Sequence, residues 1–402
     1  MKVENLIIFY SKEVFDILLV KFINILISFL LKIAVNTRFL LKNKLEGIGR
    51  VTHEVLRRMV QNHPNDEFIF FFDRSYDNEF IYGKNVNPVV LSPPTRHPIL
   101  IVAWFEFSVK RALEEYQPDV FFSPDGFCSL RSDVRTVVLV HDIAYQHFPD
   151  QVSFFIKKFY QNFQHRYLQK ATEVITVSHF VKNDLVDTIG IPSNKIHVAH
   201  NGCSSNFTPI DEFTKKETEK KYANGQPYFF YVGAVHPRKN IQGLITAFDI
   251  FKDKTNAPHQ LLIGGRFAWQ TGEVKTAFDN AKHKRDIQFL GFIEETALPK
   301  LMGSSFAFVY ISFFEGFGLP LLEAMECEVP IITSSVSSMP EVTGNAAILV
   351  NPHNLDEIVN ALLQYYGNDD LRTNKIEIGR QQKEKFNWNK SAEIIYKVLI
   401  ND

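Results

Sequence analysis

Short apolar runs alternate with amphipathic stretches along the chain from residue 32 onward. The apolar runs predict strands at Ile33–Thr37, Glu67–Phe72, Val120–Phe122, Thr136–Val140, Glu173–Val177, Lys195–Ala199, Tyr228–Val232, His259–Ile263, Ile287–Leu290, Ala307–Ile311 and Ile331–Thr333. Helical periodicity lies between them, at Arg50–Gln61, Trp104–Tyr116, Phe154–Gln169, Ile241–Phe251 and Thr271–Lys284. Strands that alternate with helices predict parallel sheets with right-handed crossovers, so the fold class is α/β.

A polar and charged stretch without apolar periodicity, residues 204–226, divides this pattern into two series. The chain has 402 residues, whereas a single hydrophobic core rarely grows beyond about 250–300 residues. We therefore expect two similar, facing domains. Ligands of such sheets bind at the carboxyl ends of the strands, which predicts a site in the cleft between the domains.

The N-terminal segment 14–31 is apolar except for one narrow polar face. Its longest uncharged stretch, Phe22–Leu31, is too short to span a bilayer as a helix. Three interpretations stay open. The segment lies in a membrane interface, packs on the protein body, or is an extension outside the mature fold.

Composition excludes several classes of protein. Hydrophobic residues make up 45% and charged residues 22% of the chain, which is ordinary for a folded globular protein. The net charge of -1, from 44 basic and 45 acidic residues, argues against a nucleic-acid partner. Three widely separated cysteines form neither a metal-ligand spacing nor a disulfide framework, which is typical of a cytoplasmic protein.

The segment Tyr310–Met325 carries the strongest candidate chemistry. A predicted strand ends in a loop with Glu315, Gly316 and Gly318, and Pro320 suits the first turn of the following helix. Glycines allow close backbone approach to a ligand, and a helix start offers free N–H groups to a diphosphate. Glu315 and Glu323 can each accept hydrogen bonds from sugar hydroxyls. For this segment taken alone, a structural turn with two solvated glutamates is the alternative.

Two further strand ends add charged groups. Gly233 is followed by Arg238, Lys239 and Asn240, and these cations can neutralise a diphosphate that departs as a leaving group. In the first series, a strand ends at His141-Asp142. A basic solvated turn and a structural histidine are the alternatives at these two places.

Together these motifs resemble glycosyltransferase family 4, the retaining group 1 enzymes of GT-B fold, over nearly the whole chain from about residue 32. The E-x7-E segment with the downstream stretch Ile331–Gly344, and Gly233 followed by Arg238-Lys239-Asn240, are the most specific features. Other similar segments are the start at Asn36, the Gly47-Ile-Gly49 loop, Val140-His141-Asp142, Thr176-Val-Ser178, Asn201-Gly202 and the ending Phe386-Asn-Trp388.

The resemblance implies a domain division and a GT-B architecture, two facing Rossmann-like domains with a cleft between them. The parts are an N-terminal extension (1–31), an acceptor domain (32–205), a nucleotide-sugar-binding domain (206–385) and a helix that crosses back to the first domain (386–402).

Residue roles follow from the same resemblance. Glu323 would hold the donor ribose, and Glu315 with the backbone N–H groups of Phe317, Gly318 and Leu319 would hold the transferred sugar. Lys239 and Arg238 would hold the diphosphate, under the loop of Gly47 and Gly49. His141 would lie beside the sugar and Ile293 beside the base. Many members carry an arginine where this chain has Ala234, and we assign its charge to Arg238.

These roles imply transfer of a hexose, with retention, from a nucleoside-diphosphate sugar to a glycan or lipid-linked acceptor in surface polysaccharide synthesis. No Asp-x-Asp motif occurs, so we expect no metal and no cofactor. We expect the enzyme in the cytoplasm, at the inner face of the membrane if residues 14–31 contact it. A GT-B phosphorylase, a sugar-nucleotide epimerase and a non-catalytic nucleotide-sugar-binding regulator are the alternatives.

Overall fold

The computed structural model describes residues 31–42, 45, 47–266 and 272–401. The apolar segment 14–31 therefore lies almost wholly outside the described residues, and its predicted membrane contact stays a prediction. Among the described helices, none is long and apolar enough to cross a membrane.

Seven parallel strands of the first half form one sheet. They are β1 (Lys32–Asn36), β2 (Glu67–Phe72), β3 (Val86–Val90), β4 (Val120–Ser123), β5 (Thr136–Val140), β6 (Glu173–Thr176) and β7 (Ile196–Val198). Their order is β3-β2-β1-β4-β5-β6-β7. In the register at the centre, Val35 pairs with Phe70 on one side and Phe122 on the other. The order reverses between β1 and β4, which creates a crevice at the carboxyl ends of the strands.

Six parallel strands form the second sheet. They are β8 (Tyr228–Val232), β9 (Gln260–Gly264), β10 (Ile287–Gly291), β11 (Ala307–Tyr310), β12 (Ile331–Ser334) and β13 (Ala347–Val350). Their order is β10-β9-β8-β11-β12-β13. Phe230 pairs with Leu262 and Phe308 at the centre. The order reverses between β8 and β11, so the loops after these two strands share one crevice.

Helices cover both faces of the sheets, which explains why the strands are apolar in both directions. In the first half they are α1 (Ile48–Asn62), α2 (Pro98–Ala103), α3 (Lys110–Tyr116), α4 (Ala144–His147), α5 (Phe154–Lys170) and α6 (His179–Asp184). In the second half they are α7 (Glu212–Tyr222), α8 (Ile241–Thr255), α9 (Gly272–Asn280), α10 (Leu298–Gly303), α11 (Leu319–Glu326), α12 (Met339–Thr343), α13 (Leu355–Gly367), α14 (Asp369–Lys383) and α15 (Trp388–Ile400).

Short helical turns complete the chain. Two π-helical segments, Trp104–Val109 and Leu185–Ile189, join α2 to α3 and extend α6. The 3-10 turns are Asn78–Phe80, Pro149–Gln151, Ser193–Lys195, Pro237–Lys239, Lys284–Asp286 and Gly344–Ala346. The predicted helix over 104–116 is thus the second part of a longer, mixed helical segment.

The last helix, α15, packs on the first half of the chain. A Cβ at residue 202 would lie 2.4 Å from the backbone nitrogen of Trp388, so only glycine permits this contact. The Arg135 guanidinium donates to the carbonyls of Val398 and Leu399, at 2.8 and 2.5 Å. A cation at a helix C-terminus also interacts favourably with the helix dipole. The Tyr396 ring stacks on His63, with 3.4 Å between ring centroids.

Two edge strands were not predicted from the pattern. β3 contains Asn87 and Pro88, and a proline cannot donate to a sheet ladder, so it is tolerated at an edge. β13 has a mixed burial pattern, in which Leu349 is 38% exposed. A deeply buried strand has a stronger apolar pattern in the sequence. In β2, Phe68, Ile69, Phe70 and Phe71 are fully buried.

Candidate active site

The loop after β11 brings Glu315 to a buried lysine. The Lys239 ammonium contacts the Glu315 carboxylate directly and donates to the Tyr310 hydroxyl at 3.2 Å. Burial alone would raise the pKa of Glu315, but the charges of Lys239 and Arg238 outweigh it and hold that pKa below the usual value. The structure therefore joins two predicted site residues as a buried ion pair.

Arg238 extends this charge across the cleft. Its guanidinium donates to the carbonyl of Phe314 at 3.1 Å and lies 3.8 Å from the carboxylate of Asp142, after β5. Burial opposes its charge, yet Glu315 and Asp142 raise the pKa of Arg238 above its usual value. Arg238 therefore stays charged beside the buried Glu315 carboxylate, whereas burial lowers the pKa of Lys239 from its usual value against the opposing charge of Glu315.

The start of α11 adds uncompensated backbone donors. Gly318 precedes the helix at a φ of 91°, a conformation that favours glycine, and Pro320 follows in the first turn. Within the described residues, the N–H groups of Phe317, Gly318 and Leu319 donate to no protein acceptor. Such a helix start, next to two cations, can bind an anionic group.

Glu323 lies one turn into α11, with its side chain buried. Arg50 of α1 approaches it from the other domain, with 3.4 Å between Nη1 and Oε1, and also approaches the exposed Glu295 at 3.3 Å. Burial raises the pKa of Glu323 to about 7, against the opposing effect of the Arg50 charge. The carboxylate predicted to hold ribose is therefore paired across the cleft here.

Gly47 and Gly49 lie at the start of α1, beside Arg50. Gly47 has a φ of 48° and open space around its Cα, whereas a Cβ at Gly49 would lie 2.6 Å from the carbonyl oxygen of Phe39. Glycine is thus required at 47 for conformation and at 49 for close packing. The loop can approach a ligand through its backbone.

His141 lies at the end of β5, half-buried. Its Nε2 lies 2.9 Å from the Pro124 carbonyl, which accepts a hydrogen bond only from a protonated nitrogen. Burial lowers the pKa of His141 from its usual value, so the ring is neutral near pH 7 and Nδ1 is left as an acceptor.

The loop between β11 and α11, residues 311–318 and called the donor loop below, touches the first domain at Gly316. A Cβ there would lie 1.9 Å from the carbonyl oxygen of His141, and the Ser178 hydroxyl donates to the Gly316 carbonyl at 2.7 Å. The rings of His147 and Phe314 meet beside this contact, with centroids 4.9 Å apart. Glu315 and its glycine are consequently positioned by both domains.

Ile293 lies beyond the end of β10, away from the buried charges. Its side chain covers Gly264, where a Cβ would lie 2.2 Å from Ile293 Cδ1. The neighbouring Phe292 is 54% exposed, and the Arg266 guanidinium lies 4.5 Å from its ring centroid. An exposed ring beside a small apolar surface suits stacking on a planar base.

Sequence reasoning did not assign a role to Arg50, Asp142 or Tyr310. A signal existed for Arg50, because it directly follows the glycine loop. Asp142 follows the predicted His141, and Tyr310 is the last residue before the donor loop. Each lies within 4 Å of a predicted site residue.

Comparisons with known proteins agree with this architecture. Residues 212–382 match the family described as "Glycosyl transferases group 1" and residues 45–207 match "Glycosyltransferase Family 4". O-antigen chain mannosyltransferase B of Escherichia coli is 29% identical over 359 residues, which cover 87% of this chain and 94% of the relative. O-antigen chain mannosyltransferase RfbU of Salmonella typhimurium is 32% identical over 216 residues, 54% of this chain and 56% of the relative.

Among solved structures, HepE of Anabaena in complex with UDP and glucose superposes with a TM-score of 0.69 at 16% identity. The match covers 92% of this chain and 100% of that one, and a likeness at this identity concerns the fold. The two family matches together cover twelve of the thirteen strands, all except β1, and every predicted site residue from Gly47 to Glu323. The chain therefore belongs to glycosyltransferase family 4, the group 1 glycosyltransferases, and is a hexosyltransferase-type enzyme with a GT-B fold.

Proposed function

We propose that this enzyme transfers a hexose, with retention of configuration, from a nucleoside-diphosphate sugar to a glycan or lipid-linked acceptor during surface polysaccharide synthesis. The observation that carries the proposal is the buried Lys239–Glu315 pair, which lies beside Arg238 at the start of α11. That arrangement places two cations close to a carboxylate that can accept hydrogen bonds from sugar hydroxyls.

The donor diphosphate would bind at the cationic side of this volume. Lys239 and Arg238 balance its charge, and the free N–H groups at the start of α11 add donors. The Lys239 ammonium pairs with Glu315 before any ligand binds, so the phosphate oxygens and the Glu315 carboxylate must share this ammonium group. The Glu315 carboxylate then has capacity to accept hydrogen bonds from hydroxyls of the sugar.

Catalysis in this proposal depends on charge stabilisation and positioning. The bond from the anomeric carbon to the phosphate oxygen breaks, and both electrons leave with the diphosphate. The acceptor hydroxyl oxygen bonds to the anomeric carbon from the same face, and its proton passes to the departing phosphate oxygen. Lys239 and Arg238 stabilise the charge that develops there, so no metal ion is needed.

His141 would hold a sugar hydroxyl. The contact with Pro124 leaves Nδ1 as an acceptor, and a neutral ring avoids repelling a positively charged transition state at the anomeric carbon. The Ser178–Gly316 hydrogen bond supports the alignment of this ring with the donor loop.

The names of the similar proteins point to mannose as the transferred sugar. Both O-antigen relatives described above are named mannosyltransferases, and the first spans 87% of this chain. We therefore propose mannosyl transfer to a growing surface polysaccharide as the specific reaction.

The test is a thermal-shift screen of the purified chain against mannose, glucose and galactose donors with different bases, followed by transfer assays. Ligand binding to the folded state raises its stability by mass action. We expect a mannose donor to stabilise the protein, and we expect full activity in EDTA. NMR of the product should show the same anomeric configuration as the donor. Loss of activity in EDTA that magnesium restores contradicts metal independence, and an inverted product contradicts retention.

The same assays separate the alternatives. Phosphate-dependent cleavage of a glycan identifies a phosphorylase, and donor epimerisation without acceptor identifies an epimerase. Donor binding with neither transfer nor slow hydrolysis of the donor identifies a regulator.

We further propose that the enzyme acts in the cytoplasm at the membrane surface, where a lipid-linked acceptor is available. Co-sedimentation with liposomes, with and without residues 1–31, tests the predicted contact of residues 14–31. If neither form sediments with liposomes, the membrane part of the proposal is wrong.

A further inference from the structure

Two histidines and a glutamate meet where the two domains touch, beside Phe317 and the Ser178–Gly316 contact and separate from the charged groups of the donor site. His179 is the first residue of α6, His200 follows β7, and Glu341 lies on α12 of the second domain. One ligand atom of each side chain lies within 4.8 Å of the other two. Elsewhere in the described part of the chain, no other group of three such side chains reaches this proximity.

The Glu341 carboxylate is already oriented for a ligand. Its Oε1 accepts from the backbone N–H of His179 at 2.8 Å, and its Oε2 accepts from that of Phe180 at 3.0 Å. Backbone donors of this kind fix the orientation of carboxylates that bind metals.

The two imidazoles differ in freedom. The His200 ring packs between Phe317 and Phe386, with centroids 6.2 and 5.4 Å away, and its Nε2 lies 2.7 Å from Glu341 Oε1. The His179 ring is exposed, lies 5.5 Å from the His200 ring, and makes no side-chain hydrogen bond to another described residue. It can therefore turn toward the other two ligands without breaking a contact of that kind.

We propose that His179, His200 and Glu341 form a binding site for Zn²⁺ or a similar late first-row divalent ion, with water as the fourth ligand. Two imidazoles and one carboxylate are a donor set that zinc accepts in tetrahedral sites, with bonds of about 2 Å. The ion replaces the hydrogen bond between His200 and Glu341, while both backbone bonds to Glu341 remain in place. Mg²⁺, which prefers oxygen ligands, does not suit this set.

The site would act on the arrangement of the domains. Two ligands belong to the first domain and one to the second, so the ion stabilises the contact that includes Ser178 and Gly316. A transferase of this architecture must open its cleft to release product, and such steps often limit turnover. This consequence rests on the proposed function: bound zinc slows turnover without occupying the donor site.

Isothermal titration of the untagged, full-length protein with zinc chloride tests the site directly. We expect one saturable site, no comparable signal with magnesium chloride, and weakening in His179→Ala by at least about tenfold, since even outer-shell substitutions cost that much. His179→Ala keeps the backbone N–H that binds Glu341. The matched control is His165→Ala, which removes another exposed histidine and should leave zinc binding unchanged.

Turnover supplies the second measurement. Zinc should lower kcat of the wild-type enzyme but not of His179→Ala, and a chelator should restore it. Equal zinc binding by wild-type and His179→Ala overturns the proposal, as does the absence of a saturable site in the wild type. Because calorimetry needs no sugar, either result is distinguishable from failure of the proposed transfer reaction.

Discussion

Arg50 and Glu323 are 273 residues apart in sequence, yet their side chains pair across the cleft at 3.4 Å. The pair joins the start of α1, directly after the glycine loop, to the carboxylate that we expect to hold the donor ribose. Arg50 therefore occupies a hydrogen-bonding position that the ribose must take. Burial raises the pKa of Glu323 to about 7, and the positive charge of Arg50 opposes this effect.

Arg50→Met should change how donor affinity depends on pH. The ribose hydroxyls need an ionised acceptor, so wild-type affinity should fall as the pH drops through about 7. Without the Arg50 charge the pKa of Glu323 rises further, and the fall should move to higher pH. At alkaline pH the variant should bind donor at least as tightly, because a competitor is gone. Calorimetric titration over this range measures both effects.

The control for that change is Arg57→Met on the same helix, which pairs with Glu54 outside the cleft. It should leave the pH dependence unaltered. An unchanged pH midpoint in Arg50→Met would show that Arg50 does not set the charge of Glu323.

Glu323→Gln should stabilise the ligand-free protein at high pH while weakening donor binding. A carboxyl with a raised folded-state pKa contributes stability when protonated, and that stability is lost as the pH rises through about 7. The variant should therefore match the wild type at acidic pH and exceed it above neutrality by up to about 3 kcal/mol, at about 1.4 kcal/mol per pKa unit. Thermal unfolding at both ends of the range measures it, and Glu115→Gln, which changes an exposed glutamate of α3, is the control. Equal pH dependence in wild type and Glu323→Gln would refute the buried-acid interpretation.

Glu315→Gln should lower kcat about a hundredfold, the scale of losing one preorganised electrostatic contact. It should also destabilise the fold, because removing one member of a buried pair costs about 3–5 kcal/mol. The double variant Glu315→Gln/Lys239→Met should regain part of that stability but no activity. Chemical denaturation and steady-state kinetics separate the two effects, and near-normal turnover in Glu315→Gln contradicts its proposed role.

Gly316→Ala should impair turnover without unfolding either domain. The added methyl would meet the His141 carbonyl at 1.9 Å, so the donor loop and the first domain must move apart. We expect kcat to fall while the unfolding transition stays cooperative. Gly367→Ala is the control, because a Cβ there meets nothing within 4 Å, and it should behave as wild type. Equal activity of the two variants would show that the contact of Gly316 with the first domain does not matter for turnover.

Local patterns along the sequence determined the α/β class and most strands. The bounds of β2, β5 and β8 agree with the prediction because each contains an unbroken apolar run that is followed by a polar or glycine residue. The same local information marked Glu315, Glu323 and Lys239, since strand ends, glycines and charges lie within a few residues of each other. Edge strands such as β3 carry weaker patterns, because they are buried on fewer sides.

Only the tertiary structure decided which of these groups meet. The Lys239–Glu315, Arg238–Asp142 and Arg50–Glu323 pairs join residues from different elements, and the last two join different domains. The pKa values of Glu315 and Glu323 diverge because one carboxylate is buried beside two cations, whereas the other is buried beside one cation and near the carboxylate of Glu295. Periodicity and spacing report on neighbours in the chain, whereas burial and charge pairing depend on contacts that form when the sheets and the cleft assemble.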